Sequence, residues 1–322
     1  MSKQLDRVDR VSVVTPTFNE ADGIHEFHRR LVAATSEIPD TTWEFIYVED
    51  GSSDATFARL SDIASADQRA RILRLSRNFG HQLAITCGLD HAVGDAVVVI
   101  DADLQDPPEV IAQMVAQWRD GADVVYGQRR NRAGETWFKK TTAAVYYRIL
   151  SRLTDVEIPE QVGDFRLMDR AVVDGLNSMR EENRYIRGMT SWIGFEQRSV
   201  PYDRDARYAG TSHYPLFKMI NLAVNGITSF TEKPLRVASF TGAGIFAVTV
   251  IYAIYTLVGK ILDPASSDPG FTTITLLIMF FGGVQLLSIG LLGEYVGRIY
   301  RESKGRPLYF VREDITASSS DV

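Results

Sequence analysis

One cysteine, Cys87, is all that 322 residues contain. An intramolecular disulfide is excluded, as is a zinc centre built from several thiolates, and the thiol is left to fill core space. Positive charge is not in excess either. The 35 Lys and Arg residues are outnumbered by 41 Asp and Glu, a net charge of -6, so the basic face of a nucleic-acid binder is not expected. Met1 to Arg10 is charged and lacks an apolar core, so it does not read as a secretory signal; the amino-terminal half is expected to stay in the cytoplasm. There is no internal repeat, and Ser318 to Ser320 is the one low-complexity piece. With 45% hydrophobic and 24% charged residues, the chain has the composition of a folded protein of one large or two small domains.

The stretch that organises the rest is Ala96-Val-Val-Val-Ile-Asp-Ala-Asp-Leu-Gln-Asp-Pro-Pro108. Its β-branched run, Val97 to Ile100, has the pattern of a strand buried on both faces of a parallel sheet. Asp101 and Asp103 follow at the strand's carboxyl end, where open α/β sheets bind ligands. Residues i and i+2 of an extended segment point the same way. Both carboxylates are thus placed to face one hard divalent cation, Mg²⁺ or Mn²⁺, shared with substrate phosphates. The alternative is a solvated strand end with acidic turn residues.

The same punctuation recurs along the chain. Val11 to Thr15 reads as a strand ending at Pro16-Thr-Phe-Asn-Glu20, followed by a helix with Ile24, Phe27 and Leu31 on one face. Trp43 to Val48 is a second strand, stopped by Glu49-Asp-Gly-Ser-Ser-Asp54; Asp54 or Ser53 is expected to cap a helix carrying Phe57, Leu60 and Ile63. Arg71 to Leu75 is a third strand, and Arg77-Asn-Phe-Gly-His81 opens a helix to about Ala92. A helix through Trp118 follows the central strand, then a fifth strand over Asp123 to Tyr126, ending at Gly127-Gln-Arg-Arg130. Strands and helices alternating at this spacing predict a doubly wound, mainly parallel sheet with its acidic loops on one edge. Beyond it, Trp137 to Leu153 is helical in pattern, Gly163-Asp-Phe-Arg-Leu-Met-Asp-Arg170 interrupts it, and Asp169 is expected to cap the next helix. Glu196 to Tyr202 alternates weakly, as a strand would.

Two stretches without a charge, Val237 to Gly259 and Phe271 to Gly293, are each long enough to cross a hydrocarbon core as a helix. The short connector makes them a hairpin. Lys233 and Arg236 precede it, and Arg298, Arg301, Lys304 and Arg306 follow, which places both chain ends on the cytoplasmic face. Pro215 to Phe230 is amphipathic, a helix lying along a membrane surface or packed in a core. The expected layout is a catalytic domain over 1–212, a juxtamembrane amphipathic helix over 213–233, a transmembrane hairpin over 234–293, and a juxtamembrane helix and tail over 294–322.

Taken in order, Pro16-Thr-Phe-Asn-Glu20, Glu49-Asp-Gly-Ser-Ser-Asp54, Asp101-Ala-Asp-Leu-Gln-Asp-Pro-Pro108 and Gly163-Asp-Phe-Arg-Leu-Met-Asp169 resemble a family 2 glycosyltransferase with the GT-A fold, in the polyprenyl-phosphate branch. Dolichyl-phosphate mannose synthase is a more distant relative. Asn78-Phe-Gly-His81, Arg132-Ala-Gly-Glu-Thr-Trp137 and Leu292-Gly-Glu-Tyr-Val-Gly-Arg-Ile-Tyr300 fit the bacterial undecaprenyl-phosphate glucosyltransferase branch. The likeness runs from about residue 10 to residue 312.

The resemblance implies roles position by position. Pro16, Phe18, Glu20 and Asp50 match positions that hold the nucleoside, with Asp50 reading the base; a turn former is the alternative for Asp50. Asp101, Ala102 and Asp103 match the diphosphate–metal motif, with Asp103 expected as the direct ligand ahead of Asp101, and Gln105 lies near the sugar or the phosphates. Arg129, Arg132, Lys139 and Ser212 match positions that receive the acceptor phosphate, a task that suits the guanidinium fork; for each charged one the alternative is a solvated surface cation. Asp164 matches the carboxylate near the reacting centre, as base or as acceptor-positioning group, with a turn carboxylate as alternative, and Arg166 matches a phosphate-binding arginine. Where relatives carry Ser-Lys-Tyr, this chain has Ser212-His213-Tyr214. Histidine is only partly charged near pH 7, so a phosphate contact there is not secured by charge. The implied reaction is inverting transfer of a hexose, glucose from UDP-glucose before GDP-mannose, UDP-GlcNAc, UDP-GalNAc or an aminoarabinose donor, to undecaprenyl phosphate at the inner membrane. A tetramer is the implied assembly. A processive synthase would need a Gln-x-x-Arg-Trp motif, which is absent; an inactive nucleotide-sugar-binding scaffold is the non-enzymatic alternative.

Overall fold

The computed structural model describes residues 8–130, 162–203 and 270–316, with separate positions between 242 and 262. The chain divides into two units, with Leu216–Arg306 forming most of the second and Pro307–Val322 counted with the first.

In the first unit, eight strands make one sheet in the order β7-β5-β6-β4-β1-β2-β3-β8. β1 (Asp9–Thr17), β2 (Thr41–Glu49), β3 (Ala70–Leu75) and β4 (Ala96–Val99) are parallel to their neighbours among themselves. The chain leaves β1 towards β2 and β3, then returns to place β4 on the other side of β1. That reversal is the topological switch point where ligands bind in open α/β sheets. The backbone explains the burial pattern: every residue of β4 is enclosed, and an all-apolar run is what a strand covered on both faces requires.

One face is covered by α1 (Ile24–Ser36), α2 (Thr56–Ala66) and α4 (Ile111–Arg119), which enclose Val11, Val13, Phe45, Tyr47, Ile72 and Val98. Ile24, Phe27 and Leu31 are fully buried on the α1 stripe read from the sequence, each contributing roughly 1.5–3 kcal/mol of transfer free energy. The other face carries α3 (His81–His91), α5 (Arg170–Ser178) and α6 (Ile186–Ile193). Asp169 caps α5 as expected, accepting the Ala171 N–H. For α2 the N-cap position is Ala55 rather than Asp54 or Ser53. Asp54 nevertheless accepts the Thr56 N–H at 3.0 Å, so the residue type was right and the register was off by one.

Two strands depart from the sequence reading. β6 (Val162–Asp169), read as an interruption between helices, lies antiparallel to both β4 and β5 (Val124–Arg129). β8 (Val311–Thr316), read as part of a tail, pairs antiparallel with β3 at the sheet edge. Arg71 meets Asp314 there through two hydrogen bonds of 2.9 and 2.7 Å. β7 (Gln197–Tyr202) is the weakly alternating strand and runs parallel to β5.

In the second unit, the described positions between 242 and 262 are helical, and α7 (Phe271–Ser303) is one continuous helix of 33 residues. At ~1.5 Å per residue it is longer than the ~30 Å hydrocarbon core of a bilayer. Among the described residues it is the one helix long and apolar enough to cross a membrane. The amphipathic segment expected over 213–233 lies outside the described residues.

Candidate active site

The register of the parallel strands brings three loops to one edge. Thr17 of β1 pairs with Glu49 of β2, and Val14 of β1 with Val99 of β4, so Phe18, Asp50 and Asp101 emerge together. The first two loops are stitched to each other: Asn19 accepts the Ser53 N–H at 2.9 Å, and the Glu20 N–H donates to Thr56 Oγ1 at 2.8 Å. Asn19 and Leu104 sit at φ 56° and 59°, a left-handed conformation that asparagine enters readily but leucine only when its surroundings enforce it. Both occur in the loops that converge.

Asp50 is buried and receives the N–H groups of Phe79 at 2.7 Å and Gly80 at 2.9 Å. Burial raises its pKa, with these two bonds opposing the rise. Gly51 lets the next loop come this close: at φ +68°, a Cβ there would stand 2.6 Å from the Asn78 nitrogen. Pro16 is buried within β1, whereas the Phe18 ring is 46% exposed at its end, an open aromatic face of the kind a base stacks on.

At the end of β4 the two aspartates behave differently. Asp103 accepts the Gln105 N–H at 3.1 Å. Asp101 Oδ1 is enclosed with no hydrogen-bond donor, and burial pushes its carboxyl up to about 6, with His81 opposing and Asp164, Asp106 and Asp103 adding to the rise. A buried carboxylate oxygen without a donor is costly unless a cation meets it. Ala102 is buried between them, and Gln105 is partly exposed. The third acidic residue of the stretch, Asp106, is buried, accepts the Tyr202 hydroxyl and stands 3.5 Å from Arg129.

Asp164 enters from β6. Because β6 runs antiparallel to β4, with Val99 opposite Arg166, its first residues reach the carboxyl end of β4. Asp164 Oδ2 receives His81 Nε2 at 3.1 Å, Gln82 Nε2 at 3.2 Å and Arg187 Nη2 at 3.2 Å, and Oδ1 receives Arg187 Nε at 2.8 Å. Burial works to raise its pKa, but the His81 bond and the charge and bonds of Arg187 outweigh it and hold the carboxyl far below the usual range. Beside it, Gly163 leaves room for the end of the Arg129 side chain, whose Nη2 would lie 2.8 Å from a Cβ there.

Arg129 is in the cluster, with its Nε 3.2 Å from the Tyr202 hydroxyl. Arg166 is buried behind Asp164, donating to Thr190 Oγ1 at 3.1 Å and to the Gly163 carbonyl at 3.0 Å, and burial brings its pKa down to about 10. The structure thus gives Arg166 a bracing position between β6 and α6. The arginine that clamps Asp164 is Arg187, which the sequence reading did not single out. Nor did it give His81 or Gln82 a role. His81 belonged to a noted motif; Arg187 had no signal, being a helical residue beyond the aspartate it meets. Arg132, Lys139, Ser212 and His213 lie outside the described residues.

Comparison with known proteins agrees with this geometry. The glycosyl transferase family 2 model matches residues 12–176, and the GtrB C-terminal hairpin model matches 233–299. The chain is 46% identical over 312 residues to the uncharacterized glycosyltransferase YkcC of Bacillus subtilis, spanning 96% of this chain and 95% of that one. It is 42% identical over 303 residues to the uncharacterized glycosyltransferase sll0501 of Synechocystis, spanning 94% and 95%. With the bactoprenol glucosyl transferase of Shigella phage SfV it shares 39% identity over 305 residues, spanning 95% and 99%. A family 2 domain with convergent acidic loops and a GtrB-type hairpin, matched end to end by these relatives, leaves one placement: the chain belongs to glycosyltransferase family 2, in its polyprenyl-phosphate glycosyltransferase branch.

Proposed function

We infer that this enzyme transfers glucose from UDP-glucose to undecaprenyl phosphate with inversion at the anomeric carbon, in a divalent-metal-dependent reaction. The observation that carries the reading is the donor-free, buried oxygen of Asp101 beside a donor-saturated Asp164, at the switch point of the sheet. Asp101 and Asp103 are the residues that would hold Mg²⁺ or Mn²⁺, and the bare Asp101 oxygen fits such an ion. When bound, the metal supplies Lewis-acid neutralisation of the leaving diphosphate. The preference for glucose rests on the bactoprenol glucosyl transferases that match the chain over nearly its whole length.

The chain's own groups do the rest. Phe18 offers a face to the uracil, and the Asn19–Ser53 and Asp50–Phe79 bonds hold the loops that flank it. Asp164 orients and stabilises rather than abstracting a proton, because the acceptor phosphate is already largely ionised near neutrality (second pKa ~6). Its ionised state suits a fixed negative charge beside a sugar that gains positive character as the bond to UDP breaks. Arg129, Arg132, Lys139 and Ser212 are assigned to receive the attacking phosphate. Holding the lipid headgroup at this edge raises its effective concentration.

The domain faces the cytoplasm and the hairpin is membrane-embedded. β8 supports this arrangement: a strand beyond the apolar segments that rejoins the sheet calls for an even number of crossings between them. Lys and Arg outside the connector point the same way.

The test is a donor panel. Detergent-purified protein is incubated with undecaprenyl phosphate, Mn²⁺ and radiolabelled UDP-glucose, GDP-mannose or UDP-GlcNAc. Label from UDP-glucose is expected in the lipid phase, lost with chelator. Label from another donor alone would overturn the sugar assignment, and label from none would overturn the transfer.

A further inference from the structure

The first turn of α3 stands between the two acidic centres. His81 Nε2 is 3.1 Å from Asp164 Oδ2 and 3.6 Å from the donor-free Asp101 Oδ1. A carboxylate as strongly ionised as Asp164 only accepts hydrogen bonds, so Nε2 carries the proton and donates it. Gln82, the next residue, closes a ring: its Nε2 donates to Asp164 at 3.2 Å while its Oε1 accepts the Ile186 N–H at 2.9 Å. Ile186 opens α6, whose second residue is Arg187, the clamp on the far side of Asp164. The ring is closed, and His81 carries it to Asp101, 3.6 Å from Oδ1. Its imidazole is partly open to solvent, 45% exposed, whereas Asp164 is enclosed.

We propose that His81 is a positioning residue for the transfer, setting Asp164 at a fixed distance from Asp101 through a single N–H. Two carboxylates facing each other without a cation repel and would drift apart. An N–H directed at one and close to the other holds them as neighbours before the metal-bound donor arrives. The role rests on the transfer reaction inferred above. Misplacing a reacting group by about 1 Å can cost a factor of ~10², and the His81 side chain meets Asp164 and Asp101 directly while reaching Asp50 of the nucleoside loops through charge alone. Its loss is therefore expected in turnover and not in donor affinity.

The full-length protein in detergent gives the test. For His81→Ala, kcat with UDP-glucose and undecaprenyl phosphate is expected to fall about 10- to 100-fold, while the KM for UDP-glucose and the calorimetric affinity for UDP with Mn²⁺ change little. His81→Gln, which can return an N–H to the Nε2 position, is expected to recover most of the loss. A second arm needs no turnover: melting temperatures of His81→Ala, Asp164→Asn and the double variant are expected to be non-additive. His81→Ala turning over at the wild-type rate, a Gln variant as slow as Ala, a loss confined to donor KM, or additive melting shifts would each overturn the assignment. An inert wild type in every donor arm would instead defeat the transfer reading, with the melting cycle still deciding whether His81 and Asp164 are coupled.

Discussion

Asp101 ends one strand and Asp164 begins the next strand of the sheet, yet their surroundings are opposite. Asp101 has an enclosed oxygen with no donor and a carboxyl pushed up to about 6. Asp164 takes hydrogen bonds from three side chains on two helices and is held far below its ordinary pKa. Asp164 is the more enclosed of the two, its side chain 4% exposed against 31% for Asp101, yet it is the one held ionised, so burial alone does not set the fate of a carboxylate; the donors around it do. The group meant to receive a cation is left wanting one. The group meant to stay in place is given more partners than it needs for charge alone.

The largest effect should come from removing the wanting group. Asp101→Asn is expected to slow transfer at least ~10³-fold, since metal-ion stabilisation of a leaving diphosphate amounts to several kcal/mol. The same substitution should stabilise the metal-free fold by roughly 1–3 kcal/mol in urea titrations near pH 7.5, because each unit of pKa elevation is about 1.4 kcal/mol. A variant that is both inert and no more stable would break the comparison on the Asp101 side.

On the other side, Arg187→Ala strips the main cation from Asp164. Leaving a buried charge with only neutral or partly charged donors costs about 3 kcal/mol, read as a lowered urea midpoint with unchanged slope. A loss below ~1 kcal/mol would mean that His81 and Gln82 suffice to hold the carboxylate.

The pH dependence separates the two centres. A carboxyl raised in the folded state binds protons more readily folded than unfolded, so its contribution falls as pH rises from about 4 to about 6. Asp164 has the opposite sign: its contribution is present above the unfolded value and is lost only in strong acid, as pH falls through the depressed folded value. His81, raised when folded by its Asp164 bond against the opposing pull of burial, adds stability that is full below pH ~6.5 and lost as pH climbs through its folded value. In the metal-free protein, the stability difference between Asp101→Asn and wild type should therefore widen between pH 4 and pH 6, read from urea midpoints. A constant difference would remove the assignment of the raised pKa to Asp101.

The smallest effect serves as a control far from both carboxylates. Asp314→Asn breaks the paired bonds to Arg71 on the sheet edge. With both side chains partly solvated, the cost should be under ~1 kcal/mol in urea titration, and transfer should continue at the wild-type rate.

The parallel half of the sheet was legible because a strand buried on both faces writes itself as an unbroken apolar run, as Ala96 to Val99 does. The acidic loops were legible because they sit where those runs stop. β6 was not, for a physical reason: it buries Asp164 and Arg166 at alternate positions, and charges at core positions erase the pattern that marks a strand. Arg187 pairs with Asp164 and Thr190 accepts from Arg166, both from α6, although Arg166 Nε is left without an acceptor; those partners are written elsewhere in the chain. β8 was hidden by Arg312, Glu313 and Asp314, which an edge strand keeps half-exposed. The helix residues that hold Asp164 could be found only once His81 and Arg187 were brought together in space.

The pairing of β8 with β3 also sets a clock. Arg71 and Asp314 are 243 residues apart, so at ~5–20 residues per second of synthesis the open edge of β3 waits roughly 12–50 s for its partner. Throughout that interval the growing chain carries an unpaired strand edge of the kind that invites association with another chain. A ribosome that stalls after the second apolar helix would release a protein with its acidic cleft complete and that edge bare. Quality control of this enzyme would then turn on the six residues of β8.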